Sequence, residues 1–170
     1  LAAVHKKTSL SKPDPSESLN AGRLLGKPPG RLLALDLGEK RIGAAVSDEL
    51  WITVRPLPFL VRRNWKQLLV TVVELLQHFD AQALVIGLPL NLDGTEGEAA
   101  REARRIAHNF ELSLKMPVYL QDERLTSREA ESTLRAAGHT DADLRKYVDS
   151  ESAAIILRDF IAQTSSSQGT

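Results

Sequence analysis

From Leu32 to Leu37 the chain is apolar at every position except Asp36, as expected of a strand buried on both faces. Gly38-Glu39-Lys40 supplies a tight turn into a second run, Arg41 to Ser47, where Ile42, Ala44 and Val46 alternate with Arg41, Gly43 and Ala45. A third strand is expected around Trp51 to Phe59, and Pro56 and Pro58 confine it to a sheet edge because proline cannot donate to a ladder. The period then changes from two to 3.6. Behind a capping Asn64, Trp65, Leu68, Leu69, Val72, Leu76 and Phe79 share one helix face. A short buried strand, Ala83 to Gly87, is closed by Pro89. After the loop from Asn91 to Gly97, Ala99, Ala103, Ile106 and Phe110 mark a second helical stripe. Pro117 ends it, and Val118 to Gln121 forms a fifth strand.

Thr126-Ser127-Arg128-Glu129 has the form of a capping box, with Gly138 as the stop of the helix it opens. A last helix begins between Asp141 and Asp149 and runs to about Ala162. The order is βββαβαβαα. An antiparallel meander followed by alternating strands and helices describes an α/β domain of the RNase H-like kind, a mixed five-stranded sheet flanked by helices, better than a purely parallel sheet. Residues 1–28, rich in Ser, Lys, Pro and Gly, read as a disordered leader, 29–163 as the domain and 164–170 as a flexible tail.

Composition matters in two places. There is no cysteine, which excludes disulfides, thiolate zinc sites and cysteine nucleophiles. The 22 basic side chains balance 22 acidic ones, so a nucleic-acid ligand must be held by a local basic patch rather than by net charge. No apolar run is long enough to span a bilayer.

Three acidic positions stand out against this pattern. Asp36 interrupts the most apolar segment, where an unpaired charge costs several kcal/mol unless it opens into a cleft. It also suits a turn-initiating role. Asp122 and Glu123 close the fifth strand; their neighbouring positions face opposite sides, so a regular strand lets only one of them share a cleft with Asp36. One of the pair is equally suited to a surface ion pair with Arg124. Asp149 falls within about 40° of Ala153, Ile156 and Phe160 on a helix, at about 100° per residue, or else serves as an N-cap. Oxygen-only ligands with room for water suit Mg2+ or Mn2+, and two such ions support phosphodiester hydrolysis. The four histidines are scattered, and no Ser/His/Asp arrangement is visible.

With these positions in view, the chain resembles the YqgF (RuvX) family of Holliday-junction-resolvase-like nucleases. The resemblance is carried by LALDLGEKRIGAAVSD (33–48), ALVIGLPLNLDGTEG (83–97), DERLTSREAE (122–131) and YVDSESAAIILRDF (147–160). Ser127 stands where the family pattern has a second threonine, and the stretch before Asp149 is poorer in lysine. The resemblance implies an RNase H-like fold, divalent-metal cleavage of phosphodiesters, and maturation of the 5′ end of pre-16S rRNA in the bacterial cytoplasm. By motif, the catalytic and metal-binding acids it implies are Asp36, the Asp122/Glu123 pair and Asp149.

Lys40, Arg41 and Arg124 are the basic residues nearest these acids, suited to holding a scissile phosphate or to pairing with the same carboxylates. Arg101, Arg104 and Arg105 offer a wider phosphate track or a plain solvated helix face. RNA is the expected partner, with branched DNA as a second substrate. Two other functions fit parts of the pattern: a non-catalytic nucleic-acid-binding or assembly factor of the same fold, and one lobe of an actin-like ATPase, for which LDLGEKRIG resembles the phosphate-binding hairpin. A single domain lacks the second lobe that such ATPases close over nucleotide.

Overall fold

Leu32, Leu33, Ala34 and Leu35 are all fully shielded from solvent, which requires a strand covered on both faces. The computed structural model, which describes residues 30–123 and 141–166, places them in a central strand β1 (Arg31–Leu37). It is followed by β2 (Arg41–Ser47), β3 (Val54–Val61), α1 (Trp65–His78), β4 (Ala81–Leu88), α2 (Glu98–Ser113), β5 (Val118–Asp122) and α3 (Asp141–Ser166). The strands form one sheet in the order β3-β2-β1-β4-β5. β1, β2 and β3 are joined antiparallel, while β4 runs parallel to β1 and β5 parallel to β4. This is the mixed five-stranded, RNase H-like arrangement expected from the element order. The segment of the expected capping-box helix, the whole of the expected leader and the outer part of the tail lie outside the described residues.

Strand alternation divides the core in two. Leu33, Leu35, Leu84, Ile86 and Leu120 face α1 and α2, packing with Leu68, Val72, Leu76, Ala103, Ile106 and Phe110. Leu32, Ala34, Ala45, Ala83 and Val85 face α3, against Ala153, Ile156, Leu157 and Phe160. The sheet residues on that second face are mostly small, which lets the long helix lie close to the strands. β2 is accordingly buried on both faces from Ile42 to Ser47, not on one as simple alternation suggests.

Three local expectations are corrected. The third strand starts at Val54; Trp51 lies in the preceding turn with φ 61, its indole N–H donating to Gly30 O at 2.8 Å. β3 is nevertheless the edge strand that Pro56 and Pro58 require. On α2 the buried stripe runs through Ala100, Ala103, Ile106, Ala107 and Phe110, and Ala99 is exposed, because the sheet meets the neighbouring position, about 100° further round the helix. α3 continues to Ser166, past Ala162; Thr164 is buried and its hydroxyl donates to Phe160 O at 2.8 Å, so the start of the expected loose tail is helical. No helix among the described residues is long and apolar enough to cross a membrane.

Candidate active site

Asp36 lies one residue before the end of β1, where the central strand emerges from the core, and is half-buried. Its cross-strand neighbour on β2 is Gly43. On the other side Leu35 pairs with Ile86, so the next residues along, Asp36 and Gly87, lie beside each other. Asp36 shares the parity of Leu32 and Ala34, the face that α3 covers. Two residues without side chains therefore flank the carboxylate, and the depression they leave is filled from β5.

Glu123 fills it. Its backbone N–H donates to Leu88 O at 3.1 Å, extending the β4–β5 pairing one residue past the strand. Its carboxylate lies over the Cα of Gly87: a Cβ there would fall on the carboxylate, 2.7 Å from Cδ of Glu123 and 2.7 Å from Cδ1 of Ile156 on α3. Burial pushes the Glu123 carboxyl up to about 8, with the negative charges of Asp36 and Asp122 adding to the effect. Asp122, paired with Leu88, has the parity of Val118 and Leu120 and so belongs to the opposite face. Glu123 thus shares the face of Asp36, and Asp122 acts on it through charge.

Asp149 falls within α3, one turn before Ala153 and two before Ile156, the residue that touches the Gly87–Glu123 contact. Position 149 thus lies on the helix that covers the sheet face shared by Asp36 and Glu123. Among the described residues no group of three His, Asp or Glu is close enough to hold a metal ion, so Asp36, Asp122 and Glu123 do not form such a set by themselves.

Of the basic candidates, Lys40 and Arg41 are exposed at this end of the sheet, and the Arg41 guanidinium stacks 4.5 Å from the ring centroid of Phe59. Arg124 lies outside the described residues. Arg104 pairs with Glu96 and Arg105 with Glu102, while Arg101 donates to Glu96 O, which gives these three the role of a self-paired helix face. The loop from Asn91 to Gly97 is closed by its own bonds, with Thr95 donating twice to Asp93 and Asn91 donating to Thr95. Those bonds hold the Asp93 carboxyl below its usual range.

Two residues that sequence reasoning passed over organise the site. Gly87 makes the space for Glu123, and only the strand register reveals that it adjoins Asp36. Arg62 donates to Gly38 O at 2.9 Å and pairs with Glu102 at 2.5 Å, while its N–H donates to Lys40 O at 3.0 Å. It ties the β1–β2 turn to β3 and α2. Nothing in its local sequence marks it.

A meander-led mixed sheet flanked by helices, with Asp36 and Glu123 on one face at the carboxyl ends of its parallel strands, defines an RNase H-like domain. Residues 30–163 match the model of the RuvX family, described as Holliday junction resolvase, and the chain belongs to that family. A protein of Anaeromyxobacter dehalogenans named "Putative pre-16S rRNA nuclease" is 47% identical over 131 residues, covering 77% of this chain and 96% of that one. A protein of the same name from Syntrophus aciditrophicus is 40% identical, covering 77% and 87%. Among solved structures, the chain is similar to T. thermophilus RuvC in complex with Holliday junction substrate, with a TM-score of 0.47 and 16% identity over 78% of this chain and 95% of that one.

Proposed function

We propose that the chain is a divalent-metal-dependent nuclease that hydrolyses phosphodiester bonds in RNA, with pre-16S rRNA as its substrate and the bacterial cytoplasm as its setting. The observation that carries this reading is the placement of Asp36 and Glu123 on one sheet face beside Gly87, where burial, helped by the negative charges of Asp36 and Asp122, pushes the Glu123 carboxyl up to about 8. Two carboxylates this close are costly when both are ionised, and a cation offsets that cost. The donors are hard oxygens, as Mg2+ and Mn2+ require.

In this reading Asp36, Glu123 and Asp149 would hold the metal, and Asp122 adds negative charge from the neighbouring position. A divalent cation bound there would lower the pKa of a water and offset charge on the phosphate. The water oxygen bonds to phosphorus and gives up a proton, the bond from phosphorus to the leaving ribose oxygen breaks, and that oxygen takes up a proton in turn. Lys40 and Arg41, exposed beside Asp36, hold the non-bridging phosphate oxygens, with Arg124 as the third cation. The relatives named as pre-16S rRNA nucleases support the choice of RNA.

Asp36→Asn keeps the shape of the side chain and removes its charge. It is expected to lower Mg2+-dependent cleavage of a pre-16S rRNA fragment at least a hundredfold while leaving the circular dichroism spectrum unchanged. Cleavage at the wild-type rate would remove Asp36 from the site. Metal-independent RNA binding without any cleavage would instead identify a non-catalytic binding factor.

A further inference from the structure

The sheet end that carries the acids also carries a groove that the reaction does not use. β3 runs antiparallel to β2, so its carboxyl end lies beside the β1–β2 turn: Val61 pairs with Arg41, and Arg62 N–H bonds to Lys40 O. From there a groove of about 670 Å3 runs between the end of β3 and α1. Its apolar lining includes Phe59, Val61 and Val70, which are 40%, 60% and 51% exposed. Arg63 and Lys66 also line it, both exposed and neither in an ion pair with a described residue. None of its lining residues is acidic.

We infer that this groove between β3 and α1 receives a single-stranded flank of the nucleic-acid substrate, with Arg63 and Lys66 on its phosphates and Phe59, Val61 and Val70 against its bases. The inference rests on reading the chain as acting on nucleic acid. Three features select this occupant. The lining is cationic in a chain with no net charge, so the charge is local. Aromatic and apolar surface interleaved with cations is what a single strand requires, since bases stack without regard to sequence while phosphates seek Lys and Arg. The groove is also continuous with Lys40 and Arg41, whose guanidinium already covers one side of the Phe59 ring, so a strand leaving the acids passes over them into it.

The test uses the full chain in an Asp36→Asn background, which separates binding from cleavage. Fluorescence anisotropy would follow a labelled single-stranded RNA of about 12 nucleotides across a salt series. Arg63→Ala with Lys66→Ala is expected to weaken binding roughly tenfold near about 150 mM salt and to lower the salt slope by about 1.4, the loss of two phosphate contacts on a single strand. Phe59→Leu is expected to weaken binding with the slope unchanged. Lys115→Ala, exposed at the far end of the sheet, is expected to change nothing. The inference is overturned if the double variant matches Lys115→Ala in both affinity and slope. It is equally overturned if the protein sediments as a dimer that Val70→Asp splits while RNA affinity stays constant, since the groove then seats a second copy. Should wild type fail to cleave while these binding losses hold, the groove stands and the nuclease reading falls.

Discussion

Gly87→Ala is the most demanding test of the site's geometry. A methyl group at this position would lie 2.7 Å from Cδ of Glu123 and 2.7 Å from Cδ1 of Ile156. Carbon atoms in contact sit about 3.5–4.0 Å apart, so Ile156 must retreat by roughly 1 Å, and the Glu123 carboxylate, whose Oε1 lies nearer still, by more than that. Ile156 is 1% exposed and has nowhere to go; Glu123 is only half-buried at the open end of β5 and is the group that moves. Overpacking of this kind costs about 1–3 kcal/mol, a fall in melting temperature of roughly 3–12 °C for a domain of this size. A carboxylate displaced by about 1 Å costs on the order of a hundredfold in rate. The two effects separate with Ile156→Val, which removes the Cδ1 clash and leaves the carboxylate clash in place. The double variant is expected to regain most of the melting temperature and little of the single-turnover cleavage rate. If Gly87→Ala cleaves within twofold of wild type, or if Ile156→Val restores the rate along with the stability, Glu123 is not held where the chemistry needs it.

Other outcomes follow from the same geometry. The native protein keeps the Glu123 proton up to about pH 8, whereas an unfolded chain releases it near the ordinary glutamate value of 4.5. Between these values the native state binds more protons, so stability of the metal-free protein is full below the lower value and declines as pH rises through the upper one. Glu123→Gln should flatten that decline in melting temperature from about pH 5 to about pH 9, and an identical slope in both proteins would contradict the burial of this carboxyl. Adding Mn2+ to metal-free wild type should raise the melting temperature more at about pH 8 than at about pH 5, because protonated Glu123 cannot serve as a ligand; an equal gain at both would place the cation elsewhere. Arg62→Ala removes bonds to Gly38 O and Glu102 and should cost about 2 kcal/mol, with faster hydrogen exchange in the β1–β2 turn as the local signature. Unchanged exchange there would mean the clamp is not limiting.

The periodicity of the chain is enough to place all five strands and the two helices of the α1 and α2 face, because a central strand cannot hide its apolar run and an amphipathic helix cannot hide its stripe. Asp36 is visible for the same reason: a carboxylate among Leu35, Leu37 and their neighbours violates the pattern that surrounds it. The acids at the end of β5 and on α3 are likewise legible as departures from their local stripe. What no local window contains is register. Whether Asp122 or Glu123 accompanies Asp36 depends on how β5 pairs with β4, and the fit depends on Gly87 standing beside Asp36 rather than one residue away, where alternation would turn it to the other face. Arg62 and the basic groove are invisible for a related reason, since their partners lie on elements distant in sequence. The chain thus determines by itself which groups are out of place in its core, and only tertiary packing decides which of them meet, because meeting is a property of pairs that the strands bring into line.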